Sequence, residues 1–231
     1  MDRAVRVASD SVRERVSTYS DPASGYSFVA AVPAAAPDLW NEYLARALGA
    51  YRRFGVESAL DYETVRSGDS TAMFCAGVDR RGVVVGGVRA QGPFRRADES
   101  HALTEWNAPE HVERLRRMIE SRIPFGLIEA KAAWVSEDVP QRRELTLAIA
   151  RMGAKFMDLL QSRYMMATAA DNLLDLWRTC GGAVDESMPP TPYPDARYRT
   201  RLMWWDRLRA DPLGDELRRE VDGFPVGGEP A

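Results

Sequence analysis

An amphipathic helix between two short apolar strands is the feature of this sequence that most restricts its fold. Apolar residues recur there at intervals of three and four, which predicts a helix with one buried stripe, at Leu145, Ala148, Ile149, Met152, Phe156, Leu159 and Leu160. We predict a strand before this helix, over residues 125–135, and another after it, over residues 164–169. Such alternation of strand and helix favours a sheet that is covered by helices.

The remaining segments continue this alternation. Short apolar runs between turn residues predict strands, and apolar stripes with a period of about 3.6 residues predict helices. In chain order these are a strand at 26–32, a helix at 40–54, a hairpin with strands at 71–78 and 83–90, a helix at 108–122, a helix at 171–179 and a strand at 199–205. This order predicts an α/β (α+β) protein with a mixed central sheet and helices on both faces.

Three details of the sequence predict local features of the structure. Gly86 and Gly87 lie inside a predicted strand, where paired glycines mark a bulge or a close approach of backbone. Residues 91–107 form a long polar connection, and long ordered connections in compact domains are often binding loops. Asp171 is the predicted N-cap of the helix at 171–179.

The length of the chain predicts one large domain with two tails. Of the 231 residues, the first 24 are polar and carry no strong period, so they are expected to form an N-terminal tail. The last segment, 211–231, contains several Gly, Pro and charged residues and is expected to be disordered. The domain itself is then expected over residues 25–210.

The composition excludes several classes of function. The net charge of −3 gives no broad attraction to nucleic acid or to anionic membranes. The sequence has no apolar run long enough to span a membrane and opens with no signal peptide, so the expected compartment is the cytoplasm. Cys75 and Cys180 lie in apolar runs and are expected to be buried thiols. With two histidines and no paired-cysteine motif, we expect no metal site.

The element order, with the loop from Val135 to Glu144 leading into the long helix, resembles the GNAT acyltransferase superfamily over roughly residues 25–206. Two segments resemble its autoinducer and N-acyl amino acid synthase branch. Gly86-Gly87-Val88-Arg89 is similar to a strand of that branch that ends in an arginine. The segment 128–135 is similar to the strand that carries the branch's E-x-S-R signature, of which Glu129 is retained while Lys131 and Ala132 replace the serine and the arginine. The resemblance implies a mostly antiparallel sheet.

The resemblance also implies a cofactor-binding loop from Val135 to the start of the long helix. In GNAT enzymes this loop surrounds a pyrophosphate with the pattern Q/R-x-x-G-x-G/A, and a helix N-terminus favours such an anion. Here Gln141 fits the first position, while Glu144 and Thr146 stand where the pattern has glycines. Arg142 and Arg143 are expected to contact phosphate directly. The alternative for Gln141, Arg142 and Arg143 is a solvated first turn of a helix.

The candidate catalytic residues are Glu129 and Arg89. Glu129 is a general base if an amine lies within hydrogen-bond reach, or otherwise a strand carboxylate paired with Arg89 or Lys131. Arg89 binds the carboxylate of a ligand or forms an internal salt bridge. Glu105 and Trp106 lie on the long polar connection, where they contact the substrate as a lid or belong to a packed surface loop.

These features predict an acyltransferase that moves an acyl group from a thioester, either acyl-CoA or an acyl carrier protein, to a small-molecule amine. Many GNAT enzymes place a tyrosine four residues before a glycine of the last helix as a general acid, but Arg178 stands there, counting back from Gly182. This departure, together with Glu144 and Thr146, favours the alternative: a non-catalytic binding protein on the same scaffold. A homodimer is a further open alternative, and no nucleic acid partner is expected.

Overall fold

The computed structural model describes residues 16–209, in which eight strands form one sheet. The strands lie in the order β1-β2-β3-β4-β5-β6-β8-β7, and every neighbouring pair is antiparallel except β5 and β6. This confirms the predicted mixed, mostly antiparallel sheet. The strands are β1 (Val16–Asp21), β2 (Tyr26–Ala31), β3 (Met73–Val78), β4 (Val84–Gln91), β5 (Leu127–Val135), β6 (Tyr164–Ala170), β7 (Ala183–Val184) and β8 (Thr200–Asp206).

The helices begin and end where local chemistry predicts. The first starts at Pro37, a residue suited to the first helical position, and carries Arg52 and Arg53 in its last turn, where cations are favoured. The helix at 109–120 also begins with a proline. In chain order the helices are α1 (Pro37–Arg53), α2 (Tyr62–Val65), α3 (Pro109–Glu120), α4 (Arg142–Leu159) and α5 (Leu174–Arg178).

The apolar residues form three clusters around the sheet. The first cluster lies between one face of the sheet and the helices α4 and α5, and it includes the predicted stripe residues Leu145, Ile149 and Phe156. The second cluster lies under α1 on the opposite face, around Tyr43 and Phe74. The third cluster lies under α3, over β5, β6 and β8. The predicted helices on both faces are therefore present, and the second and third clusters share one face.

The parallel pair β5 and β6 separates after three residues. The register joins Leu127, Ile128 and Glu129 to Tyr164, Met165 and Met166, and no later pair joins these two strands. Over the described residues, β5 continues to Val135 paired only with β4, while β6 pairs with β8 along its whole length. The two strands therefore enclose a gap that opens from Glu129 toward their carboxyl ends.

The predicted irregularity at the paired glycines is present in β4. The register between β4 and β5 shifts between Gly87 and Arg89, and Ala132 of β5 has a φ of +53° at that point. A Cβ on Gly86 would lie 2.6 Å from Ile149 of α4, and one on Gly87 would lie 2.8 Å from the ring of Tyr43 of α1. The glycines therefore allow both helices to approach the sheet closely.

Some boundaries differ from the sequence prediction. Residues 16–21, predicted within a polar tail over 1–24, form the edge strand β1, whose mostly polar side chains gave no apolar signal. Asp171 does not cap a helix: it lies in a short 3₁₀ turn before α5, and its carboxylate pairs with Arg199 at 3.1 Å. Residues 1–15, and the tail predicted over 211–231, lie outside the described residues.

Candidate functional site

A group of polar side chains, each buried or half-buried, lies where the second and third apolar clusters meet. On β5, Leu127 belongs to the third cluster and Trp134 to the second, and Glu129 and Lys131 lie between them on the same face. We call six residues the buried polar cluster: Glu105, Glu129, Lys131, Ser100, His101 and Thr168. The cluster lies at the vertex of the gap between β5 and β6.

The carboxylate of Glu105 joins the two diverging strands. Its Oε1 accepts a hydrogen bond from Lys131 Nζ of β5 at 2.9 Å and another from Thr168 Oγ1 of β6 at 3.0 Å. Both donors lie two residues beyond the last backbone pair of these strands, which joins Glu129 to Met166. One side chain from the long connection between β4 and β5 therefore spans the gap where backbone pairing has ended.

Glu129 is fixed at the vertex by two hydrogen bonds. Its Oε2 accepts one from Ser100 Oγ at 2.9 Å and one from the backbone N–H of His101 at 3.0 Å. Its Oε1 lies 3.5 Å from Lys131 Nζ, within ion-pair distance. The side chain of Glu129 is 0% exposed, so the carboxylate is held in one orientation. Of the two internal partners predicted for Glu129, the structure places Lys131 beside it.

His101 and Tyr193 form a hydrogen-bonded pair beside the cluster. His101 Nε2 lies 2.8 Å from Tyr193 Oη, with the two rings edge to face. Tyr193 belongs to the segment before β8, and its carbonyl accepts a hydrogen bond from Thr200, the strand partner of Ala170. Because Ala170 ends β6, Tyr193 lies toward the open end of the gap.

Arg89 is buried on the same face of the sheet. It is 3% exposed and lies opposite Lys131 in the pairing of β4 with β5. Its Nη1 donates a hydrogen bond to Thr71 Oγ1 at 3.2 Å. Between residues 16 and 209, no carboxylate lies within ion-pair distance of Arg89. The predicted internal salt bridge is therefore not formed within that range.

Burial and charge set the protonation of these groups. Burial raises the pKa of Glu105, and the ammonium of Lys131 opposes this rise. Burial lowers the pKa of Lys131, but Glu105 and Glu129 together outweigh it, so the pKa of Lys131 lies above its usual value and the ammonium stays charged. Burial, followed by Lys131, lowers the pKa of His101 to about 4, which keeps its imidazole neutral at pH 7. Burial and then Glu105 raise the pKa of Tyr193 to about 12.

Besides Trp134 Nε1, three polar atoms of this region are buried without a hydrogen-bond partner among the described residues. They are Arg89 Nε, Glu105 Oε2 and Glu129 Oε1. Buried polar atoms in folded proteins are nearly always hydrogen-bonded, so each unpaired one requires an explanation. One N–H donor and two carboxylate oxygens match a ligand that carries both an acceptor oxygen and N–H groups.

A backbone bulge lies on the β5 side of the gap. Tyr43 Oη of α1 donates a hydrogen bond to the carbonyl of Ala132 at 2.8 Å, which supports this residue in its left-handed conformation. Because the described part of the chain offers no strand partner to β5 on this side after Glu129, the backbone groups of β5 that face the gap are not engaged by β6. They are free to hydrogen-bond a ligand there.

The start of α4 is a second region with the features of a binding site. Gln141 is its N-cap, with a φ of +46°, and no side chain caps the helix. Gln141, Arg142 and Arg143 are exposed, and neither arginine has an ion-pair partner within residues 16–209. Glu144 lies in the first turn, and Thr146 bonds back to the carbonyl of Arg142 at 2.7 Å. The uncapped N–H groups and the two free cations suit an anion, whereas Glu144 opposes one.

The structure divides the predicted site residues into two groups. Glu105 and Glu129 meet at the vertex of the gap, with Arg89 on the neighbouring strand β4 and on the same face of the sheet. Gln141, Arg142 and Arg143 lie together at the exposed start of α4. Val135 ends β5 and packs against the first apolar cluster. Trp106 packs in the third cluster and donates its indole N–H to the carbonyl of Pro189 at 2.9 Å, so it lies in the core rather than over the gap.

Sequence reasoning did not assign His101, Tyr193 or Thr168 to the site. They lie on three separate segments, and the hydrogen bonds that join them to the cluster connect residues 28 to 92 positions apart. Their residue types carry no motif, and the one available signal was the buried character of the strand around Thr168. At the position where a GNAT tyrosine was expected, Arg178 pairs with Asp175 at 2.8 Å and Trp177 is buried.

The described residues contain neither a cluster of metal ligands nor a helix that could cross a membrane. No group of three or more His, Cys, Asp or Glu is placed to hold a metal ion within residues 16–209. In the same range, the helices are all too short or too polar to cross a membrane.

Comparison with solved structures defines the class of the fold. The CoA-dependent acyl-homoserine lactone synthase BjaI, solved with SAM and isopentyl-CoA, matches with a TM-score of 0.54 at 16% identity, over 82% of this chain and 85% of its own. FeeM, an N-acyl amino acid synthase from uncultured soil microbes, matches with a TM-score of 0.54 at 11% identity, over 84% and 95%. The chain therefore has the GNAT fold, as the resemblance implied.

Comparison of sequences defines the family. The proteins Rv1356c of Mycobacterium tuberculosis and Mb1391c of Mycobacterium bovis, both named as uncharacterized, are each 44% identical to this chain over 179 residues. The match covers 78% of this chain and 68% of each relative. This chain belongs to the same family as these mycobacterial proteins. No family model matches the sequence.

Proposed function

We propose that this protein is an N-acyltransferase that moves an acyl group from a thioester to an amine. The observation that carries the proposal is the separation of β5 from β6 at Glu129, with a carboxylate oxygen at the vertex of the resulting gap that has no hydrogen-bond partner among the described residues. On this fold, BjaI is a synthase solved with isopentyl-CoA, and FeeM is an N-acyl amino acid synthase. A gap of this kind suits a thioester that enters from the open end and meets an amine at the vertex.

The start of α4 supports a phosphate-bearing acyl donor. The N-terminus of α4 offers unpaired N–H groups, and Arg142 and Arg143 are free to contact phosphate oxygens. Both acyl-CoA and the phosphopantetheine arm of an acyl carrier protein carry phosphate. We take acyl-CoA as the first donor to test, with the carrier protein as the alternative.

The unpaired atoms at the vertex support an amine acceptor. Glu129 Oε1 and Glu105 Oε2 are buried acceptor oxygens that receive no hydrogen bond from the described residues, which suits them to the N–H groups of an amine. Arg89 Nε is a buried N–H donor without an ion pair in the same part of the chain, which suits a carboxylate on the acceptor. An acceptor that carries both groups therefore satisfies all three atoms.

The proposed mechanism relies mainly on position. The amine nitrogen attacks the thioester carbonyl carbon, a C–N bond forms, the C–S bond breaks, and the proton that the amine loses ends on the thiol. Glu129 Oε1 accepts that proton from the amine as general base. Backbone N–H groups of β5 that face the gap polarise the carbonyl, and holding both reactants in the gap lowers the entropic cost of reaction.

The first test is binding of the donor. Thermal unfolding is measured with CoA, acetyl-CoA and a long-chain acyl-CoA, each at about 100 times a micromolar dissociation constant. Specific binding at that excess stabilises the folded state by about 2.7 kcal/mol and raises the melting temperature by several degrees. If none of the three raises the melting temperature, an acylated carrier protein is tested as the donor.

The second test is turnover. Thiol release and N-acyl product are measured with a panel of amines that includes amino acids. Glu129→Gln is expected to lower kcat by about 100-fold or more because it removes the base. Glu120→Gln, at the exposed end of α3, is the matched control and is expected to retain the full rate. Full activity in Glu129→Gln would refute the assignment of the base.

A second candidate function is supported by the start of α4. Glu144 and Thr146 occupy positions where the family pattern has glycines, and Arg178 replaces the expected tyrosine. These departures favour a non-catalytic protein that binds a small acid or a partner segment in the same gap. Absence of stabilisation by every thioester, together with stabilisation by a free amino acid, would favour this second function.

A further inference from the structure

Lys131 is shared unequally between two buried carboxylates. Its Nζ lies 2.9 Å from Glu105 Oε1 with a hydrogen bond, and 3.5 Å from Glu129 Oε1 without one. The Lys131 side chain is 10% exposed and both glutamate side chains are 0% exposed, so water screens these charges little. The position of the ammonium therefore depends on the balance between the two carboxylates.

The position of Glu105 is fixed by hydrogen bonds to its backbone and to its side chain. The hydroxyl of Thr191 donates to the carbonyl of Glu105 at 2.7 Å, and the next residue, Trp106, donates to Pro189. Thr168 donates a second hydrogen bond to the same oxygen that binds Lys131. The Glu105 carboxylate is thus anchored through its backbone and its side chain, whereas the Lys131 ammonium is positioned by its contacts with the two carboxylates.

We propose that Glu105 is a positioning residue that holds the Lys131 ammonium away from Glu129 and so leaves Glu129 Oε1 free to accept a proton from the amine. This inference rests on the proposed function, because it concerns the base of that reaction. It assigns to Glu105 Oε1 a positioning role that is additional to the proposed contact of Glu105 Oε2 with the acceptor.

The consequence of losing the Glu105 charge follows from electrostatics. With a neutral side chain at position 105, Glu129 is the remaining carboxylate beside a buried ammonium. Lys131 then moves onto Glu129 Oε1, forms a full ion pair and occupies the lone pair that the amine needs. Glu129 loses its capacity as a base although its own side chain is unchanged.

The test is a pair of variants and their combination. Glu105→Gln is expected to lower kcat by about 100-fold, as for loss of the base itself, while KM for the thioester stays within about threefold. Adding Lys131→Met removes the ammonium, so Glu105→Gln/Lys131→Met is expected to regain at least about tenfold in kcat over Glu105→Gln. A purely structural role for Glu105 predicts the opposite, because the double variant removes more native contacts. Glu120→Gln serves again as the control for loss of one glutamate.

Three outcomes are decisive. Loss of kcat in Glu105→Gln with recovery in the double variant supports the inference. Full activity in Glu105→Gln, or a double variant that is folded and no faster than Glu105→Gln, overturns it. If the wild-type protein transfers no acyl group to any amine, both the proposed function and this inference fail. The assay of the wild-type protein alone identifies that case. Should Glu105→Gln not fold, Glu105→Asp with and without Lys131→Met gives the same comparison, since aspartate is too short to hold the ammonium in place.

Discussion

The vertex of the gap and the start of α4 both carry charged side chains, but those at the vertex are almost fully buried whereas the two arginines that begin α4 are exposed. At the vertex, the Lys131 ammonium lies between the buried carboxylates of Glu105 and Glu129, so each of the three charges has a partner of opposite sign inside the protein. At the start of α4, Arg142 and Arg143 are exposed and have no ion-pair partner among residues 16–209. The vertex is expected to contribute to folding as well as function, whereas the start of α4 is expected to contribute to function with little effect on folding.

The largest expected difference between the regions is in stability at the vertex. Lys131→Met leaves two buried carboxylates without their cation and is expected to lower the free energy of unfolding by about 3–5 kcal/mol. The other lysine of the chain, Lys155, provides the control, since its side chain is 9% exposed, about as buried as that of Lys131, but its ion pair with Asp158 is 3.9 Å long and Asp158 is 38% exposed. Lys155→Met is expected to cost about 1 kcal/mol or less. Chemical denaturation of both variants measures this difference, and equal losses would contradict the comparison.

The next effect concerns binding at the start of α4. The double variant Arg142→Ala/Arg143→Ala is expected to weaken binding of the acyl donor about tenfold or more, since charge-assisted hydrogen bonds to phosphate are lost. Its free energy of unfolding is expected to change by about 0.5 kcal/mol or less, as for exposed residues in general. Isothermal calorimetry and chemical denaturation measure the two quantities.

The control for this double variant is Arg46→Ala/Arg117→Ala. Both of these arginines are exposed on helices, where they pair with a glutamate one turn earlier. The control removes the same charge from the protein and is expected to leave donor affinity unchanged. A loss of affinity in the control equal to that in Arg142→Ala/Arg143→Ala would show a general effect of charge and not a site.

The smallest effect concerns the acidic residue in the first turn of α4. Glu144→Gln removes a negative charge beside the expected phosphates and is expected to improve donor affinity about two- to threefold, or about 0.5 kcal/mol. Glu110 lies in the first turn of α3, far from the start of α4 in the chain, so Glu110→Gln is the control for loss of a first-turn glutamate. Both variants are expected to lose a few tenths of a kcal/mol of helix stability. Unchanged or weaker donor binding in Glu144→Gln would place the phosphates elsewhere.

The sequence predicts the elements of this fold well because their signals are local. The stripe from Leu145 to Leu160 and the hairpin around Gly82 are each complete within one segment. The edge strand β1 was missed because its side chains are mostly polar and its pairing partner supplies the order. Periodicity reports burial within an element and says nothing about an exposed edge.

The sequence predicts only part of the candidate site, because its signals are local to one segment. Glu129 and Arg89 lie on strands with recognisable neighbours, so a resemblance identifies them. The hydrogen bond between His101 and Tyr193 joins residues 92 positions apart, and neither residue type carries a motif. The bridging role of Glu105 depends on where two strands separate, which is a property of the assembled sheet.

The division of the sheet at Glu129 has a mechanical consequence. The eight strands form one sheet, but among the described residues only three residue pairs join the sub-sheet β1 to β5 to the sub-sheet β6 to β8. Beyond these pairs, Glu105 connects the two sub-sheets through its hydrogen bonds to Lys131 and Thr168. Because backbone pairing ends there, we expect side-chain bridges such as Glu105 to help set how far the two sub-sheets separate. We therefore expect the width of the open end of the gap to depend on a residue that lies at its vertex.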